Sequence, residues 1–144
     1  MIRRPLMLDA GPLANLVHPR IDPRFADWFE NAVAAGFKIV ISEIADYEVR
    51  RKLLHKEFRQ SVVRLDALAV SFPYLAIDTK TLRRAAELWA DARRRGRPTA
   101  PPDALDGDVI LAAQAEAIGA IIVSDNFDHL GQFVPSQRWS EIVF

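Results

Sequence analysis

Short apolar runs alternate along this chain with longer stretches of helical periodicity. Leu6-Met7-Leu8, Lys38 to Ile41, Tyr74 to Ile77 and Ala120 to Val123 read as strands, and a last short strand is expected around Ser140 to Val143. Residues 22 to 35 set Phe25, Trp28, Phe29, Ala32 and Val33 on one helical stripe, with Gly36 as the stop. Ser42 is suited to cap a helix running through Leu53-Leu54 to about Phe58, and another helix covers residues 60 to 70. A further helix starts at Asp78 or Thr79 and reaches Arg95, where Gly96 ends it; a proline-rich loop follows over 97 to 102, then an apolar helix over 104 to 118. Asp9, directly after the first strand and ahead of Gly11-Pro12, reads as the start of a turn.

Strands alternating with helices predict an α/β fold: one domain over residues 1 to 144, with a central parallel sheet of about four to five strands and helices on both faces. In such sheets ligands bind beyond the carboxyl ends of the strands. Asp9, Ser42, Ser124, Asp125 and Asn126 all fall at such ends. Glu48 lies on the margin of the buried face of the helix after the second strand, from where a carboxylate can reach the same edge.

Composition narrows the partners only slightly. Lys plus Arg and Asp plus Glu balance at 19 each, so any attraction to a polyanion must come from a local patch. The absence of cysteine excludes thiol chemistry and fits a reducing cytoplasm, and neither a signal peptide nor an apolar stretch of the ~18 residues a membrane span needs is expected. Half the residues are hydrophobic, as in an ordinary folded domain.

Three acids compete at the start of the apolar helix. Asp103 and Asp106 stand in a capping arrangement, whereas Asp108, about 200° around a helix from Asp106, shares a face with Leu111, Ala112 and Ala115 and is not needed for capping. The opposite face carries Val109, Ile110 and Ala113, so periodicity does not decide which acid points inward.

Structural readings compete elsewhere too. Asp46 with Arg50, and Glu48 with Lys52, have the i,i+4 spacing of surface ion pairs. The basic run Arg93, Arg94, Arg95 and Arg97 is placed either as a solvated helix end or as a phosphate-binding patch beside the loop that leads to the acids. Trp28 and Trp89 lie on amphipathic stripes that suit core or dimer contacts, and His18, His55 and His129 lack metal-ligand spacing. A phosphoacceptor receiver domain would need a late-strand lysine where the chain has Ser124-Asp125-Asn126. A haloacid-dehalogenase-like phosphatase would need an acid at Gly11.

Four pieces, in order, resemble the PIN domains, and among them the VapC-like toxins of bacterial toxin–antitoxin pairs: Leu8-Asp9-Ala10, Ser42 to Glu48 with Arg50-Arg51 behind it, Asp108 to Ala115, and Ile121 to Asn126. The resemblance implies metal-dependent endoribonuclease activity with one or two Mg²⁺ or Mn²⁺ ions. It also implies an RNA substrate, a homodimer and a small antitoxin that blocks the acidic cleft. Carried over by position, Asp9, Glu48 and Asp108 match the three family acids and Asn126, with Asp125 adjacent, the fourth position. Asp9, Asp108, Glu48 and Asp125 are the metal-ligand candidates, and Arg93, Arg94, Arg95 and Arg97 the substrate-binding candidates. Gly11 departs from the Ser or Thr common in the family two residues after the first acid, and Ser124 replaces the usual Thr. A PIN-like binding module without turnover is the alternative.

Overall fold

The protein is described by a computed structural model that covers residues 3–103 and 105–144. Its centre is a five-stranded sheet with strand order β3-β2-β1-β4-β5, formed by β1 (Leu6–Leu8), β2 (Ile39–Ser42), β3 (Tyr74–Leu75), β4 (Ile121–Val123) and β5 (Ser136–Gln137). Every pairing is parallel, and β1 lies between β2 and β4, with Leu6 opposite both Ile39 and Ile121. All three residues of β1 are buried, which explains why its sequence is continuously apolar and does not alternate.

Alternating side chains divide the interior into two layers. Leu6 and Leu8 face a cluster with Ile39, Ile41, Leu13, Phe25 and Leu65, while Met7 faces a second with Val40, Ile122, Leu88 and Leu111. The first layer is covered by α1 (Ala10–Val17), α2 (Pro23–Ala34) and α4 (Arg59–Ser71), and the second by α5 (Thr79–Arg94) and α6 (Gly107–Ile118). Helix α3 (Glu43–His55) serves both, with Ala45 and Val49 in the first and Ile44 in the second. A short α7 (Phe127–Leu130) follows β4. Trp28 packs on Phe25 and Trp139 in the core, and its indole N–H donates to the Ile142 carbonyl.

Three expectations need correction. Gly11-Pro12 does not make a turn but sits in the first turn of α1, where proline is tolerated because its missing N–H has no helical acceptor. The closing strand is Ser136–Gln137; the segment expected to be extended instead holds a 3₁₀ turn at Trp139–Glu141. Helix α6 is capped by Asp106, whose carboxylate accepts from the Val109 N–H at 3.3 Å, while Asp103 lies in the preceding exposed turn. The predicted start of that helix, Ala104, lies outside the described residues.

Chain direction explains where a site can form. From β1 the chain steps out to β2 and β3 on one side, then returns to lay β4 and β5 on the other. The strand order therefore reverses between β1 and β4, the position at which loops diverge and leave a crevice. Among the described residues no helix is long and apolar enough to cross a membrane.

Candidate active site

Asp9 stands at that reversal point. Its backbone N–H donates to the Val123 carbonyl, extending the pairing of β1 with β4 by one residue, and its side chain caps α1 by accepting from the Ala10 N–H at 2.8 Å. The second carboxylate oxygen accepts from the hydroxyl of Ser124 at 2.6 Å. Ser124 is buried at 1% exposure, and its Oγ also accepts from the Asn126 N–H at 2.9 Å. One hydroxyl thus fixes both the first acid and the turn that presents Asn126. The serine that departs from the expected threonine keeps the hydroxyl this requires.

Asn126 in turn donates from Nδ2 to Asp108 at 3.2 Å, linking the end of β4 to the first turn of α6. The structure also separates the acids that periodicity left open. Asp106 is buried and spent on capping α6 and on accepting from Thr99 Oγ1 at 2.6 Å, whereas Asp108 is turned toward Asn126 and the strand ends.

Burial, followed by the charges of Asp9, Asp106 and Glu48, pushes the Asp108 carboxyl up to about 6. Burial and then the Asp9 charge also raise Glu48, against a smaller opposing pull from Arg51 and Lys52. The Asp9 charge therefore acts on both of the other acids, and Glu48 acts on Asp108 as well. Among the described residues no three acidic side chains close around a ready-made ion cage. Asp9 turns to Ser124 and Asp108 to Asn126, so each of these two carboxylates has an uncharged hydrogen-bond donor beside its like-charged neighbours. The gathered donors are carboxylate, amide and hydroxyl oxygens, a set suited to Mg²⁺ or Mn²⁺ and not to softer metals.

The opposite side of α3 explains how Glu48 is aimed. Asp46, only 8% exposed, accepts from Arg50 Nε at 3.0 Å and from the Tyr74 hydroxyl at 2.6 Å, and Arg50 reaches on to Asp66 at 2.7 Å. The expected Asp46–Arg50 pair thus forms inside a network that ties α3 to β3 and α4. Burial and the Asp46 carboxylate hold the Tyr74 hydroxyl well above the usual phenol range. Two residues on, about 200° around the helix, Glu48 points to the crevice, and among the described residues it forms no ion pair with Lys52.

Other candidates are placed less centrally. Asp125 is exposed, and no hydrogen bond among the described residues links it to the cluster. His129 is exposed as well, and it slightly opposes the rise at Asp108. Arg93 lies over the Trp89 ring and donates to the Ala100 carbonyl, so it braces the loop ahead of α6. Arg94 pairs with Asp91, and Arg94, Arg95 and Arg97 are exposed.

Two features were not singled out from sequence. Gly107 is one; it lies against the Glu48 carboxylate. The other is a groove of about 670 Å³ between α1, α3 and α4, which runs from Glu48 past Lys52, Lys56, Arg59 and Arg64 over an apolar floor that includes Phe58. Its basic residues sit on different helices, and only the folded chain brings them to one rim.

A family model described as PIN domain matches residues 6–130, from the first strand to the end of α7. The chain belongs to the PIN domain family. No curated protein matches it at the sequence level. Among solved structures, the PIN fold here is similar to a chain of VapBC2 from Rickettsia felis bound to a DNA fragment from their promoter, at 18% identity and TM-score 0.76, covering 93% of this chain and 98% of that one. It is also similar to VapBC-1 from nontypeable Haemophilus influenzae, at 18% identity and TM-score 0.73, covering 94% and 98%. A third likeness is to VapC20 of Mycobacterium tuberculosis, a Sarcin-Ricin loop cleaving toxin, at 14% identity and TM-score 0.68, covering 92% and 98%. At these identities the likeness concerns the PIN fold.

Proposed function

We propose that this PIN domain is a divalent-metal-dependent endoribonuclease and the toxin of a toxin–antitoxin pair, working in the cytoplasm as a homodimer. The observation that carries this reading is the shared field of Asp9, Glu48 and Asp108, three acids delivered by three separate elements to the reversal point of the sheet. A single functional demand explains why a fold would tolerate such repulsion: a cation that neutralises it.

Asp9 and Asp108 would hold Mg²⁺ or Mn²⁺, with Asn126 or Asp125 accessory. When bound, the ion supplies Lewis-acid polarisation of the scissile phosphate and lowers the pKa of an attacking water. Ser124 keeps the Asp9 carboxylate oriented by its hydrogen bond, and the Asn126 amide does the same for Asp108. Glu48, raised by burial and by Asp9, would meet the ion through a water molecule or orient that water for in-line attack. The basic residues along the groove suit a phosphodiester backbone, and Arg94, Arg95 and Arg97 add exposed positive charge at and just after the end of α5. The description of VapC20 as a cleaving toxin, and the occurrence of the other two relatives in VapBC complexes, support cleavage and an antitoxin partner.

Incubating the purified protein with RNA and Mn²⁺ tests this directly. Cleavage should require the metal, and Asp9→Asn or Asp108→Asn should abolish it with an unchanged circular dichroism spectrum. Retained cleavage in either variant would refute the assignment. The alternative is a binding module without turnover. Calorimetry decides between the two, since the module binds no Mn²⁺.

A further inference from the structure

Gly107 opens α6, and the space where its side chain would be is taken. A Cβ at this position would stand 2.8 Å from Oε1, 2.9 Å from Oε2 and 3.0 Å from Cδ of Glu48. Contacts of that length do not occur between a methyl group and a carboxylate, so one of them must move. Backbone freedom does not explain this glycine, since the residues with positive φ are Glu57, Gly36, Gly96 and Gly119 among those described. What distinguishes position 107 is the close approach of a charged side chain from another helix.

We infer that Gly107 is a positioning residue: by having no side chain, it lets the Glu48 carboxylate lie against the first turn of α6, beside Asp108. Three facts meet here. Glu48 comes from α3 and Asp108 from α6, so their mutual placement depends on how closely these helices approach at this point. The displaced atoms would be the far end of a flexible side chain, so a methyl group at 107 moves Glu48 and leaves the backbone in place. Asp106 and Asp108, on either side of Gly107, are both charged partners of Glu48, so moving its carboxylate changes its relation to the whole cluster.

The inference rests on the reading of Glu48 as part of a metal-dependent site, and its test separates the two. In metal-free protein, a double-mutant cycle of Gly107→Ala and Glu48→Ala, followed by urea denaturation, reads the steric coupling without any activity. Gly107→Ala should be less favourable when Glu48 is intact than in the Glu48→Ala background. Additive effects would overturn the inference. In the same proteins, calorimetric titration with Mn²⁺ should give a dissociation constant about 10-fold weaker for Gly107→Ala. Glu48→Asp, which withdraws the carboxylate by one methylene, should restore part of that loss when combined with Gly107→Ala. Unchanged Mn²⁺ affinity in Gly107→Ala would also overturn the inference. If the unaltered protein binds no Mn²⁺, the metal-site reading fails, and with it the role assigned to Gly107, whereas the metal-free cycle still reports whether the contact exists.

Discussion

Replacing Asp108 by asparagine should make the metal-free protein more stable at neutral pH while destroying its proposed chemistry. The folded state pushes this carboxyl from an ordinary 3.8 to about 6, so folding favours its neutral form. At ~1.4 kcal/mol per pKa unit the shift corresponds to about 3 kcal/mol at most, and solvent screening of this partly exposed group reduces it to about 1–2 kcal/mol. The sign follows from the raised value. The penalty is absent well below 3.8, grows as pH rises between 3.8 and about 6, and is complete above that. Asparagine has nothing to ionise, and its Oδ1 still accepts from Asn126. Urea denaturation in the presence of EDTA should therefore show Asp108→Asn more stable by about 1–2 kcal/mol at pH 7.5, roughly 3–6 °C in Tm, with most of the gain lost at pH 4. Saturating Mn²⁺ should reverse the order, since a ligand at 100 times its Kd adds about 2.7 kcal/mol to the form that binds it. A variant that is destabilised at pH 7.5, or stabilised equally at both pH values, would refute the electrostatic account.

Other substitutions probe the supports of the site. Ser124→Ala should leave the Asp9 carboxylate without its 2.6 Å donor, weakening Mn²⁺ binding by about 10-fold in calorimetry while the fold persists. Arg50→Ala removes the charged partner of the buried Asp46, leaving it only the Tyr74 hydroxyl, and should lower stability by about 1–3 kcal/mol in urea denaturation, with a loss under about 0.5 kcal/mol arguing against the network. Replacing Arg94 and Arg95 by alanine should reduce the salt dependence of RNA binding by about one unit of slope per lost phosphate contact, read by fluorescence anisotropy across salt concentrations. Unchanged slope would remove those two side chains from the RNA path.

Much of this arrangement is legible in the sequence, and particular residues show why. Asp9, Ser124 and Asn126 follow buried apolar runs, so their place at strand ends needed only the sequence and the rule that parallel strands share a direction. Asp108 could be separated from Asp106 only in three dimensions, because residues 109 to 115 of α6 are all buried and both faces look apolar. Helix α1 was hidden by Gly11-Pro12, whose turn signal is indistinguishable from a proline tolerated in a first helical turn. Strand β5, two residues long, offers no period to detect; it is held by the Ile122 N–H to the Pro135 carbonyl and the Ser124 N–H to the Gln137 carbonyl. Gly107 was invisible for a different reason. A glycine at the start of a helix has ordinary explanations, and only the position of Glu48 on another helix gives it a role. The groove basic residues likewise come together through the packing of α3 against α4, which net charge cannot report.

The most direct test is anomalous diffraction from a crystal of the protein soaked in Mn²⁺. The account predicts a peak bounded by Asp9 and Asp108, with both side chains rotated away from Ser124 and Asn126 and Glu48 facing the ion directly or through water. Carboxylates that keep their present hydrogen bonds at saturating Mn²⁺, with no peak between them, would contradict it.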